Sequence, residues 1–393
     1  MLRKLTAFLL TLCLFLPITA FATEDDQDIS LEDALIDAGV ISVTITNEEG
    51  ETVSQEDVVT VDTALPRYEP DGSIELKMTF GGDFTIGDNV QSSGKSIFEK
   101  ELDRQDGDMN FMFRNIVDVL EDDDLTILNF EGTLTTASRN RNRSNYSFLF
   151  RADPSYVSVL TDNSVEFVTL ENNHVLDMGE DGYAQTKQVL ADAGVGYACT
   201  TEPALFTLYG VNVAILAYQT FDGAYETLYT QVPEDIASMK EQGAQLVICA
   251  FHWGDELDYY PNDKQQKMAK IAIDGGADLV VGHHSHRINP IEIYNGKYIV
   301  YSLGNFVFAG NNKPSDMSTF IFQIKFNVKD GEVTTPDGFI IIPARISSNT
   351  SYNDFAITPY TKYENIESVL TVLKKNGEHL DNPVDEYPLS WGN

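Results

Sequence analysis

Histidine is scarce in this chain, and its placement is not scattered. Of six histidines in 393 residues, five (His174, His252, His283, His284 and His286) come just after short apolar runs, and only His379 lies in the polar C-terminal tail. Asp83 follows IELKMTFGG, Asn129 and Glu131 follow LTIL, and Asn172, Asn173 and His174 follow VEFVTL. His252 follows QLVICAF, and His283, His284 and His286 follow DLVVG. Imidazole, carboxylate and amide oxygen together suit Mn, Fe or Zn better than Ca or Mg. More than four candidate donors fit one or two divalent ions, and two such ions sharing a bridge clamp a displacement at phosphorus or at a carbonyl carbon.

Taken singly, each residue has a blander reading. Asp83 after Gly81-Gly82, and the Asn172-Asn173 pair, read equally as turn residues, and Glu131-Gly132 reads as a strand end. Asp177 and Gly179 shape the loop after His174, Trp253 and Gly254 pack and bend the chain beside His252, and Asn305 is structural, bonding backbone near the site. Asp255 and Glu256 read either as carboxylates that orient a histidine or as solvated surface. Arg287 is the candidate positive contact for an anionic substrate, or else the partner of a surface acid. The case for metal rests on the joint placement of five histidines with Asp, Glu and Asn alongside.

That placement requires elements that bring the run ends together. IELKMTF, LTILNF, VEFVTL, VNVAILAY, QLVICAF and DLVVG read as buried strands. Helices fit DGYAQTKQVLADAG, PEDIASMKEQG and DKQQKMAKIAIDGG, each closing on glycine. The alternation predicts an α/β sheet covered on both faces, and in such sheets ligands bind beyond the carboxyl ends of the strands. After Tyr298 the pattern turns to strands (YIVYSL, FIFQIKFNV, GFIIIPARI), and YENIESVLTVLKKNG is a late helix.

Arg3 and Lys4, the apolar stretch 5–18 and Ala20-Phe21-Ala22 read as a signal peptide cleaved after Ala22. This predicts a secreted or cell-surface protein; the alternative is an uncleaved N-terminal anchor, for which the apolar run is short. Residues 23–72 read as an acidic spacer or small accessory module with a short helix and a hairpin turning at 47–50. The catalytic domain is expected over 73–348, with a C-terminal extension over 349–393 packing on it. Net charge is −35, and −37 once Arg3 and Lys4 are removed, which argues against nucleic acid as a partner. An anionic substrate then needs a local positive site, and a metal supplies one. Cys199 and Cys249, both in apolar stretches, read as buried free thiols, although a single bridge stays open.

Five segments together resemble the CapA, or poly-γ-glutamate capsule synthesis, family. They are GGDFTIG, LNFEGTL, LENNHVLDMGEDGYAQT, FHWGDE and VVGHHSHRINPIEIYNGKYIVYSLGNFVF, spread over Glu75 to Phe308. The family belongs to the calcineurin-like metallophosphoesterases, so the resemblance implies a four-layer α/β/β/α sandwich. It implies Asp83, Glu131, Asn173, His252, His284 and His286 as metal ligands, with Glu131 bridging. It implies His174 as the acid that contacts substrate, and leaves His283 outside the ligand set. The superfamily's opening D-x-H has Thr85 in place of its histidine here, so one metal position lacks a ligand. The function implied is a metal-dependent hydrolase of a phosphoester or amide, linked to an anionic extracellular polymer and to membrane-bound synthesis partners. A non-catalytic accessory role in polymer synthesis is the alternative, and a pure surface-binding module a third, weaker reading.

Overall fold

The computed structural model describes residues 66–392 apart from 92–93, 144–146 and 222. The expected signal peptide or anchor, and the helix and hairpin of the acidic segment, lie outside the described residues.

Strands β1 (Ile74–Thr85), β2 (Leu125–Phe130), β3 (Phe167–Thr169) and β4 (Gly196–Ala198) pair in parallel. The antiparallel β5 (Ala204–Leu208) leads into β6 (Val211–Gln219), which opens a second parallel set with β7 (Leu246–His252) and β8 (Leu279–His283). β9 (Ile291–Tyr294) and β10 (Lys297–Val300) extend that sheet. The chain then returns to the first sheet through β11 (Asn305–Phe308), β12 (Ser318–Lys329), β13 (Glu332–Thr334), β14 (Phe339–Arg345) and β15 (Thr358–Pro359). The first sheet is ordered β15-β14-β12-β1-β2-β3-β4, with β11 pairing on β1 and β13 on β12. The second is ordered β9-β10-β8-β7-β6-β5.

Alternation along the strands sorts the core into layers, because successive side chains leave opposite faces. Leu76, Met78 and Phe80 of β1 pack with Val213, Ile215 and Ala217 of β6 and Leu246, Ile248 and Ala250 of β7, so the sheets meet face to face. The opposite face of the first sheet, carrying Leu128, Phe130 and Val168, packs against Phe98 of α1 (Ile97–Arg104) and Leu190 of α2 (Gly179–Ala193). Leu216, Val247, Cys249 and Phe251 pack against α3 (Tyr225–Glu241) and α4 (Asp263–Gly275). The result is the four-layer α/β/β/α sandwich. Each sheet is covered on both faces, as the alternation predicts, by helices on one side and by the other sheet on the other. A strand buried on both sides is apolar throughout whichever layer covers it, so the run alone does not tell the two apart.

Two further boundaries differ from expectation. α3 begins at Tyr225 rather than Pro233, which sits inside the helix. Proline ordinarily breaks a helix, but Tyr225, Leu228, Val232, Ile236 and Met239 form one buried stripe through it, and tertiary packing of that stripe outweighs the lost hydrogen bond. The C-terminal stretch carries α5 (Tyr363–Gly377) and sends Val369, Leu373, Val384 and Tyr387 into the core between the sheets. Cys199 and Cys249 are free and buried.

Candidate metal centre

Parallel strands that start together also end together, and register makes that literal. Across the first sheet Asn305, Asp83, Asn129 and Thr169 stand side by side, and across the second Gln219, His252 and His283 do the same. The carboxyl ends of both sheets open onto one cleft.

Glycines set the approach of the loops. A Cβ on Gly82 would lie 1.9 Å from the carbonyl oxygen of Gly304, and the next residue, Asp83, donates its N–H to that same oxygen at 3.0 Å. Gly82 is therefore glycine because backbone occupies the space of its side chain. It ties the GGD segment to SLGNF. Gly282 does the same for the second sheet, where a Cβ would meet the Tyr301 carbonyl at 2.1 Å and Trp253 Nε1 at 2.4 Å. Trp253 packs as expected and donates Nε1–H to the Tyr301 carbonyl at 3.0 Å. After Gly282 the chain turns sharply, and His284 (φ 91°) and His286 (φ 53°) both take left-handed backbone. Non-glycine residues held there are strained, and such strain concentrates at functional sites.

Two groups of donors converge. Glu131, His252 and His284 offer ligand atoms that all lie within 4.8 Å of one another, as do Asp83, Glu131 and His286. In the first group His252 Nε2 faces Asn173 Oδ1 at 2.8 Å, His284 Nδ1 at 3.1 Å and Glu131 Oε1 at 3.7 Å. In the second, His286 Nδ1 lies 3.2 Å from Asp83 Oδ2. Glu131 belongs to both. All six expected ligand positions thus meet in one cleft. His283 is buried 3.7 Å from Asp83 Oδ1 and belongs to neither group.

The surrounding residues hold this array. Asn129 donates to Asp83 Oδ1 at 2.8 Å and meets His252 Nδ1 at 3.2 Å, linking the two sheets. Asn305 Oδ1 bonds the His286 ring at 2.9 Å, a side-chain contact where a backbone one was expected. His174 stands 3.8 Å from Glu131 through Nε2, while its Nδ1 meets Asp177 Oδ2 at 2.7 Å. Asp177 also pairs with Arg143 at 3.1 Å, and Arg143 bonds the carbonyl of Asn173. One guanidinium therefore fixes the segment that carries both Asn173 and His174.

The sequence reading left Asn129, Asp177 and Asn305 outside the ligand and catalytic set and did not single out Arg143. The first three sit within the quoted motifs; Arg143 lies in a polar run with no signal. Asp255 and Glu256 are exposed and make no hydrogen bond to a histidine among the described residues. Arg287 does not stand where an anion would meet it. It is buried, and its guanidinium donates to the His286 carbonyl at 2.7 Å and to Ser315 Oγ at 2.6 Å. A buried cation needs acceptors, and these supply them. The cleft's cavity of about 540 Å³ is instead lined by Arg143, Asn140, Asn172, Asn173, Gln219, Phe221 and His284, with Val175 and Leu176.

Charge in the centre is out of balance. Both carboxylate oxygens of Glu131 are buried without a hydrogen-bond partner. Burial pushes that carboxyl up to about 7, with His286 opposing and Asp83 adding to the rise. Burial works against a charge on His286, but Glu131 and Asp83 outweigh it and hold the imidazole up to about 9. Burial drives His252 well down, and lowers His283 and His284 to about 4. His252 and His284 are thereby held neutral, the state a divalent cation requires of its imidazole ligands, whereas His286 would have to give up its proton to join them. The donor set is compatible with a divalent metal.

Residues 77–310 match the profile described as bacterial capsule synthesis protein PGA_cap. The chain is 30% identical over 310 residues to the PGA biosynthesis protein CapA of Bacillus subtilis (strain 168), covering 74% of this chain and 79% of that one. It is 27% identical over 276 residues to the capsule biosynthesis protein CapA of Bacillus anthracis, covering 64% and 65%. Among solved structures, a 5'-nucleotidase from Candida albicans aligns over 81% of this chain and 59% of that one at 11% identity and a TM-score of 0.40, too loose a likeness to bear on the site. By the profile match and by likeness along most of both Bacillus chains, this chain belongs to the bacterial capsule synthesis protein family PGA_cap.

Proposed function

We propose that this protein is a metal-dependent hydrolase-type component of capsule or poly-γ-glutamate synthesis, acting outside the cell on an anionic polymer or a phosphoester. The observation that carries the reading is the buried, unpartnered carboxylate of Glu131 between two sets of converging donors. Glu131, Asn173, His252 and His284 would hold one divalent ion, and Asp83, Glu131 and His286 a second. Bound there, such ions supply Lewis-acid polarisation of a phosphoryl or carbonyl oxygen.

The chain's own residues supply the rest. With Nδ1–H donated to Asp177, the protonated imidazole of His174 would face the cleft with Nε2–H, which can pass its proton to a leaving group and leave the neutral ring behind. Asn129 orients Asp83 and His252 at once. Phe221 packs edge-on with His284, ring centroids 4.6 Å apart, and supplies an apolar wall beside that ligand.

A non-catalytic accessory role is favoured by one observation. Thr85, in place of the superfamily's histidine, is fully buried and its hydroxyl has no partner, so the second position has one ligand fewer. Elemental analysis of purified protein, with turnover of phosphodiester and γ-glutamyl amide probes, separates the readings. Tightly held metal with turnover supports the hydrolase. Metal-free, inactive protein under metal-replete conditions overturns it. Export is tested by finding the processed N-terminus at Thr23 in the extracellular fraction. Among the described residues no helix is long and apolar enough to cross a membrane.

A further inference from the structure

The cavity at the metal centre is walled largely by amides, and the direction of one of them is settled by its partner. β6 ends on Gln219, which stands in register with His252 at the end of β7. Gln219 lines the same cavity as Asn173 and His284. Its Nε2 donates to Glu171 Oε1 at 2.6 Å. Glu171 lies just past β3, and its other oxygen accepts the Thr200 N–H at 2.9 Å. A carboxylate only accepts, so the nitrogen of the Gln219 amide, and not its oxygen, must face Glu171. The Oε1 oxygen makes no hydrogen bond among the described residues. An acceptor is therefore what Gln219 has left to offer a ligand.

Asn173 supplies the complement. Its Oδ1 faces His252 Nε2 at 2.8 Å, which leaves Nδ2 as its donor. One acceptor and one donor match the N–H and C=O of an amide. A phosphodiester carries oxygens only, and these would meet Gln219 Oε1 lone pair against lone pair. Its negative charge would also stand near the Glu171 carboxylate, an unfavourable pairing. Arg143, the one formally charged side chain among the described lining residues, is already taken up by Asp177 and the Asn173 carbonyl.

Resting on the function proposed above, we propose that Gln219 is a specificity-determining residue of the cleft. It accepts the N–H of a substrate amide, and Glu171 is the positioning residue that fixes it in that orientation. The cleft then takes an amide-linked chain in preference to a phosphoester.

Fluorescence anisotropy on the full mature chain, its metal content verified, reads the preference as equilibrium binding. His174→Ala is carried throughout to suppress turnover, and chromatography checks that the probes stay intact. One probe is a labelled γ-glutamate tetramer. The second is its isostere built from 2-hydroxyglutarate, with the same charges but an ester oxygen in place of each amide N–H. The third is a labelled dialkyl phosphodiester. The amide tetramer is expected to bind about tenfold tighter than the ester, the scale of an acceptor left without its donor. Gln219→Leu should weaken the amide about tenfold and leave the ester unchanged. Glu171→Gln frees the Gln219 amide to turn over, since a glutamine there donates or accepts. Ester affinity should then rise, an outcome that mere loss of structure does not produce. Equal binding of amide and ester, a preference that survives Gln219→Leu in protein that keeps its metal, or an ester affinity that Glu171→Gln fails to raise overturns the assignment. So does tighter binding of the phosphodiester than of the amide, or failure of every probe to bind. Protein that holds no metal overturns the function proposed above, whereas the comparison of amide with ester needs no turnover and decides the role of Gln219 by itself.

Discussion

Replacing Gly82 by alanine tests whether the cleft is built by contact between two backbones. The added Cβ would sit 1.9 Å from the Gly304 carbonyl oxygen, where real Cβ contacts stay beyond 3.0 Å. The obstacle is backbone, so no side chain can swing aside. Either Asp83 or the 304–305 loop must move by about 1 Å, and overpacking of this kind costs about 3 kcal/mol or more. In a domain of this size, with an unfolding entropy of about 0.7 kcal/mol/K, that corresponds to a fall in thermal midpoint of about 4–5 °C. Asp83 and Asn305, which holds His286 at 2.9 Å, both flank the collision, so metal content should fall as well. Gly72→Ala is the control. Gly72 has a left-handed φ of 83° but nothing within 4 Å of its added Cβ, so it pays only the backbone term of about 1–2 kcal/mol. Calorimetry and elemental analysis read both variants. If Gly82→Ala melts no lower than the control and keeps its metal, the close approach is not what positions the site.

Further outcomes are expected. His252→Ala should abolish tight metal binding, Asp83→Ala should mainly remove the weaker ion, and Thr85→His should raise occupancy of the weaker position; titration calorimetry decides, and equal tight binding of two ions by the wild type defeats the asymmetry. Asp177→Asn should lower turnover on a phosphodiester probe by about 10²-fold, the scale of a lost acid–base contribution, with metal content unchanged; unaltered turnover removes His174 from the mechanism. A chain starting at Pro66 should fold and hold metal, since no candidate ligand precedes it and Arg67 keeps its pair with Asp124 at 2.7 Å; loss of metal with the fold intact refutes this. Burial raises Asp123 from 3.8 to about 7, against the pull of hydrogen bonds from Thr79 and Thr126. The unfolded chain releases that proton first, so stability is lost as pH rises from about 4 to 7 and the loss is complete above 7. Asp123→Asn should therefore melt higher than wild type at pH 8, by up to about 4 kcal/mol, and equally at pH 4; a lower midpoint at pH 8 contradicts the shift.

The ligand types, their order along the chain and their place after apolar runs were legible in the sequence, because a parallel strand presents its carboxyl-terminal residues at one edge. So were the two helices that end on left-handed glycine, at Gly194 and Gly276. The division of the strands into two sheets was not, since an apolar run is the same under a helix or under a second sheet. Pro233 was read as a helix start because the stripe that carries α3 through it has value only against β6 and β7. Arg287 was expected in the cleft and Arg143 was not read at all, because a side chain's direction depends on which acceptors the fold leaves within reach. The His286 carbonyl and Ser315 take the first, while Asp177 and the Asn173 carbonyl draw the second to the rim of the cleft. Composition and spacing thus determined which atoms are present to bind a cation. Only the packing of two sheets face to face, with their carboxyl ends at one cleft, decided which of them meet, and left the carboxylate of Glu131 buried among them without a partner.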